Sequence, residues 1–130
     1  MQIVAITTDK NLINILRKSV NTNECELKFY QQLFDPLDVM SFVCSTTPPV
    51  LFVDDDCLKP NTAHILKSIK KVNKGIKLVF FTSDSSLELG REISPLGVHF
   101  YGIKPVGEEI LTNILNSIRN QLLTNNNSYN

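Results

Sequence analysis

The stretch "VLFVDDDCLKP", Val50 to Pro60, decides how this chain is to be read. Four apolar residues, Val50 to Val53, run straight into three adjacent carboxylates, Asp54, Asp55 and Asp56. A short apolar run without helical spacing, rich in β-branched side chains, reads as a strand buried on both faces. Three neighbouring carboxylates repel one another unless they are solvated, paired or bound. The end of this strand is therefore either a solvated turn or a site that handles cations and phosphoryl groups.

Outward from this strand the chain alternates. "IVAIT" (Ile3 to Thr7), "LKFYQ" (Leu27 to Gln31), "KLVFFT" (Lys77 to Thr82) and "VHFYGI" (Val98 to Ile103) read as four more strands. Helical patterns fill the gaps. Leu12, Ile13, Ile15, Leu16 and Val20 recur at helical spacing, with Thr8 or Asp9 as the cap. "DPLDVMSFVCS" has Asp35 as a cap and Pro36 in its first turn. Ile65, Leu66, Ile69 and Val72 form a third stripe, and "SSLELGREIS" is a weaker fourth helix ending before Pro95 and Gly97. Ile110, Leu111, Ile114, Leu115, Ile118 and Leu122 form the clearest stripe, in the fifth.

Five strands alternating with five helices predict an α/β fold, a parallel sheet covered on both faces. Right-handed crossovers leave the flavodoxin-like strand order 2-1-3-4-5 as the favoured topology, with the more polar second strand at an edge. Ligands in such sheets sit beyond the carboxyl ends of the strands. That rule gathers Thr7, Thr8 and Asp9, then Asp54 to Asp56, then Thr82 to Asp84, and finally Lys104 with Pro105.

Composition sets the surroundings. The 130 residues suit one domain, expected over 1–123, with "TNNNSYN" (124–130) expected to be a disordered tail. The formal charge is zero, with 13 basic and 13 acidic residues, which argues against a general nucleic-acid binder. No apolar run is long enough to span a membrane, and "MQIVAITTDK" has no signal-peptide pattern, so a cytoplasmic protein is expected. Cys25, Cys44 and Cys57 form no CxxC pair and read as reduced thiols. His64 and His99 read as packing or surface residues. Lys67, Lys70, Lys71 and Lys74, with Lys77 beyond, read as a solvated face or as a docking patch for an acidic partner. "TTDKN" lacks the glycines of a flavin or dinucleotide phosphate loop, so a flavodoxin-like small-ligand binder is the remote alternative.

From Ile3 to Leu123 the chain resembles the receiver domains of two-component response regulators, the CheY-like family. An Asp ends the third strand, a Thr the fourth and a Lys-Pro the fifth. Thr82 lies 28 residues and Lys104 50 residues after Asp54, separations typical of the family. The resemblance implies that Asp54 is the phosphoacceptor, Thr82 the phosphoryl sensor, Lys104 its charge partner and Tyr101 the switch residue. It also implies a cis bond before Pro105, and output through the fourth helix, fifth strand and fifth helix. A stand-alone phosphorelay protein is implied, with a histidine kinase or another signalling protein as partner and possible homodimerisation through the fourth and fifth helices. It would be no enzyme beyond self-phosphorylation and dephosphorylation at Asp54.

Two departures matter. Thr7 and Thr8 stand where the family carries its Mg²⁺-holding acidic pair, and Asp9 comes one place later, where it should turn toward the first helix. Hydroxyls replace carboxylates poorly around Mg²⁺. Pro60 lies six residues after Asp54 and four after Asp56, so either the loop is two residues longer or Asp56 is the acceptor's equivalent. The separations favour Asp54. Asp55 and Asp56 then lie in a solvated loop or partly replace the missing pair. A degenerate pseudo-receiver is expected, with no metal site and with Mg²⁺ binding weak or absent. A fully active receiver using Asp54 is the alternative.

Overall fold

The computed structural model describes residues 1–21, 25–31 and 35–127. Strands β1 (Gln2–Ile6), β2 (Glu26–Tyr30), β3 (Val50–Asp54), β4 (Lys77–Thr82) and β5 (Phe100–Ile103) form one parallel sheet in the order β2-β1-β3-β4-β5. The chain winds outward from β1 to β2 and then returns past β1 to β3. The carboxyl ends of β1 and β3 therefore flank the reversal in winding where such sheets hold their sites.

Alternation along the strands feeds two cores. Ile3, Ala5, Phe52, Val79 and Phe81 pack under helices α1 (Lys10–Asn21) and α6 (Glu108–Asn127). Val4, Ile6, Leu51, Val53, Leu78 and Phe80 pack under α2 (Pro36–Thr46), α4 (Thr62–Val72) and α5 (Leu87–Ile93). Both faces are covered, which is why these strands carry almost no polar residues. Asp35 caps α2 by accepting the Leu37 amide, with Pro36 in the first turn. Ser86 caps α5 in the same way through the Leu89 amide.

The structure has six α-helices among the described residues where five were expected. The addition is α3, the single turn Asp55–Leu58. The Asp54 side chain accepts the Asp56 amide as its N-cap, and two carboxylates in a first turn suit the positive end of the peptide dipoles. The acidic run is a helix start rather than a loop. The expected fourth and fifth helices are accordingly α5 and α6. After α5 a 3-10 turn, Ser94–Leu96, carries Pro95, and Gly97 follows at φ +76.

Val72, expected in the apolar stripe of α4, is 70% exposed, at the last residue of that helix. Helix α6 continues through Asn127 into the segment expected as a tail, and 128–130 lie outside the described residues. No helix among the described residues is long and apolar enough to cross a membrane.

Candidate functional site

Lys104 follows the end of β5, and its backbone amide donates to the Thr82 carbonyl over 2.8 Å. The Lys104–Pro105 peptide is cis, as is Lys59–Pro60. The Lys104 ammonium lies 2.7 Å from Asp54 Oδ1, 3.1 Å from Asp9 Oδ2 and 3.1 Å from Asp56 Oδ2. Burial alone would push this ammonium toward neutrality. The Asp54 hydrogen bond and charge, joined by Asp56 and Asp9, reverse that and raise its pKa well above the usual lysine value. One cation therefore holds three carboxylates together.

Asp54 is 1% exposed, and each of its oxygens is doubly engaged. Oδ1 takes the Lys104 ammonium at 2.7 Å and the Asp56 amide at 3.1 Å. Oδ2 takes the Thr7 hydroxyl at 2.7 Å and the Cys57 thiol at 3.6 Å. An ionised carboxylate offers about four lone-pair sites, so none is left open. The Cys57 thiol also lies 3.5 Å from the Thr8 hydroxyl. Burial, with the Asp54 charge adding to it, pushes the Cys57 pKa up and keeps the group a neutral donor.

Asp55 turns the other way. It is buried at 3% exposure and accepts the Thr62 hydroxyl at 2.7 Å and the Thr82 hydroxyl at 2.8 Å. Thr82 Oγ1 in turn accepts the Asp84 amide at 3.0 Å. Tyr101, on β5, stacks on Phe80 with ring centroids 4.9 Å apart. Its hydroxyl is buried and has no hydrogen-bond partner among the described residues. Burial, with the Asp55 and Asp84 charges behind it, raises the Tyr101 pKa. Beside the ring a cavity of about 610 Å³ is lined by Leu87, Arg91, Pro95 and Ile103 among others.

No protein-family model and no curated protein matches the chain. Solved structures do. A two-component response regulator from Clostridium difficile aligns with TM-score 0.78 and 17% identity, covering 94% of this chain and 98% of that one. A CheY-like receiver domain protein from Methanospirillum hungatei gives TM-score 0.77 and 16% identity, covering 95% and 97%. An orphan response regulator of H. pylori gives 0.76 and 16%, covering 91% and 95%. The chain has the CheY-like receiver fold.

Within this receiver fold the residues singled out from the sequence converge at one rim, but their pairings differ from what the sequence alone conveyed. Thr7 is buried against Asp54, whereas Thr8 is exposed, with its hydroxyl beside the Cys57 sulfur. Asp9 was expected to turn toward the first helix. One of its oxygens does so, accepting the Asn11 and Leu12 amides at the start of α1, while the other reaches Lys104. Burial would raise the Asp9 pKa, but Lys104 and the Leu12 amide outweigh it and lower it. Asp56 sits at the rim, where Ser83 donates its hydroxyl at 2.6 Å. Its pKa is lowered too, because Ser83 and Lys104 outweigh burial.

Thr62 takes part in the site and was not foreseen, whereas Ser83 was gathered there with Thr82 and Asp84, though its pairing with Asp56 was not, and Cys57 was read only as a reduced thiol. Thr62 had no signal in the sequence, because only the α3 turn brings it back over Asp55. Among the described residues no group of three or more His, Cys, Asp or Glu side chains is arranged to hold a metal ion.

Proposed function

We propose that the protein is a pseudo-receiver, a two-component signalling module that works through protein contacts with little or no Mg²⁺-dependent phosphorylation. The observation that carries this reading is the full engagement of Asp54 by Lys104, Thr7, Cys57 and the Asp56 amide. A carboxylate acts as nucleophile toward a phosphoryl group only with a lone pair free to attack, giving an acyl phosphate as the donor's leaving group departs. Here such an attack requires a bond to Thr7, Cys57 or Lys104 to break first.

The donor set also fits Mg²⁺ badly. This ion keeps a tight octahedral oxygen shell. The three carboxylates within reach already share the Lys104 ammonium, and the positions before Asp9 hold Thr7 and Thr8, whose hydroxyls are spent on Asp54 and the Cys57 sulfur. Asp55 supports the same reading. A buried carboxylate next to Thr82 already takes the hydroxyl proton that an incoming phosphoryl oxygen would need. The output surface on this reading is the face of α5, β5 and α6, where Leu87, Ile103 and Ile110 are exposed. A second copy of the chain or another signalling protein is the partner proposed for it.

The competing reading is an active receiver that phosphorylates Asp54, favoured by the position of that residue at the end of β3 against Lys104. Incubation with Mg²⁺ and a small acyl-phosphate donor, followed by intact mass, separates the two. The pseudo-receiver gains no phosphoryl group. Stoichiometric labelling that disappears in Asp54→Asn would sink it. Thr8→Asp is expected to strengthen Mg²⁺ binding, read by calorimetry.

A further inference from the structure

At the end of the molecule away from this site, the last turns of α2 and α4 leave a groove of about 350 Å³. Its walls are Val43, Cys44, Thr47, Ile69, Val72 and Asn73. Val72 is 70% exposed, a large apolar side chain with no cover. The surrounding chain is strongly basic. From Asn61 to Ser83 there are five lysines (Lys67, Lys70, Lys71, Lys74 and Lys77) and no acidic residue. Since the whole chain is neutral, the remainder carries a formal charge of −5.

These lysines are not equivalent. Lys70 folds back and donates to the Ile76 carbonyl at 3.1 Å, and burial together with nearby Lys77 lowers its pKa. Lys71 and Lys74 are exposed and flank in the chain Val72 and Asn73, which line the groove. None of these residues belongs to the Asp54–Lys104 cluster.

We infer that this groove docks a short acidic segment of a partner protein, with one apolar side chain seated over Ile69 and Val72 and carboxylates paired with Lys71 and Lys74. The charge favours an anion, and the volume suits one or two side chains rather than a broad apolar surface. A membrane would call for several exposed large apolar side chains on this face, and of the apolar residues lining the groove only Val72 is exposed. A nucleic-acid backbone would leave the apolar slot unfilled. The inference is independent of whether Asp54 is ever phosphorylated.

The test uses the full ¹⁵N-labelled chain and a synthetic peptide with glutamates on both sides of a central leucine. The peptide is expected to shift the amides of Val43, Cys44, Val72 and Asn73 and to bind more weakly as salt is raised. Lys71→Glu/Lys74→Glu should weaken binding about tenfold, as reversed rim charges do. Replacing the peptide's leucine by serine should weaken it as well. Both lysines are exposed, so the variant should keep the wild-type spectrum elsewhere. Val72→Ser provides an independent second variant with the same expected loss. The inference is overturned if the groove amides do not move, or if the charge-reversed protein binds equally well. It is also overturned if phosphatidylserine vesicles or a single-stranded oligonucleotide engage the same amides at lower concentration than the peptide.

Discussion

Thr82 Oγ1 and Asp55 Oδ2 lie 2.8 Å apart, joining the end of β4 to the first residue after β3. Both groups are buried, and Thr62 supplies the second hydroxyl to the same carboxylate. The pair fixes where the Thr82 proton goes.

Asp55→Ala should therefore leave two buried hydroxyls without their acceptor and cost about 2–4 kcal/mol, given the usual penalty for buried polar groups that lose a charged partner. Asp55→Asn, which keeps one carbonyl acceptor, should cost less. Asp56→Ala, at the solvated rim, should cost about 1 kcal/mol or less, like other exposed ion pairs. Urea denaturation of the three variants gives the ranking. A smaller loss for Asp55→Ala than for Asp56→Ala would contradict the buried arrangement.

Lys104→Met removes the shared cation from Asp9, Asp54 and Asp56. An uncompensated charge at a buried site costs about 3–5 kcal/mol, and Asp54 at 1% exposure has no access to water. The pH response should weaken with it. Burial raises the Asp9 and Asp56 pKa values, and Lys104 is one of the groups that reverse this, beside the Leu12 and Asn11 amides for Asp9 and Ser83 for Asp56. The variant should thus lose less stability than the wild type as the pH falls through the carboxylate range. Melting temperature against pH for the two proteins checks this.

The strand order and the meeting of Asp54 with Lys104 were legible because they follow from spacing. Apolar runs such as Val50–Val53 name the strands, and parallel winding sends their carboxyl ends to one rim. The division of labour among the three aspartates was not legible. It depends on Asp54 capping α3, which swings Asp55 inward and Asp56 outward within a single helical turn. The sequence shows three equal acids. Periodicity likewise placed Val72 in the apolar stripe, since a helical pattern does not reveal which of its apolar residues the rest of the fold covers.

Gly102 on β5 is a packing constraint. A Cβ there would stand 2.6 Å from Phe100 Cε1 and 3.2 Å from Phe81 Cδ1. Both rings belong to one aromatic contact, 6.1 Å between centroids, so neither moves without disturbing the other. Gly102→Ala should cost about 1–3 kcal/mol, as overpacking does, with the fold retained. A neutral outcome in chemical denaturation would mean that the Phe100 ring swings aside freely.

The acid response of the wild type should come in two stages with distinct owners. His99 has its pKa lowered from 6.5 by burial and by nearby Lys77, and Ser117 lies 3.5 Å from its Nε2. A lowered folded-state value means that the unfolded chain takes up the proton first. Stability therefore begins to fall as the pH drops below 6.5 and levels off past the folded value. Asp9 and Asp56 have values lowered from 3.8, so their contribution is complete above that pH and is lost as the pH falls through the folded values. Lys104, raised from 10.5, contributes fully below that pH and loses its share only in strong alkali. The stability plateau should accordingly begin just above 6.5 and end near 9.0, where the unfolded chain starts to lose the Cys57 proton that burial retains in the folded protein, with a shallow step below it and a steeper fall in acid. His99→Gln should abolish the shallow step and leave the steep one, read from urea midpoints on either side of pH 6.5. If the step survives the substitution, its source is another group, and the Lys77–His99 repulsion is not what destabilises the protonated protein.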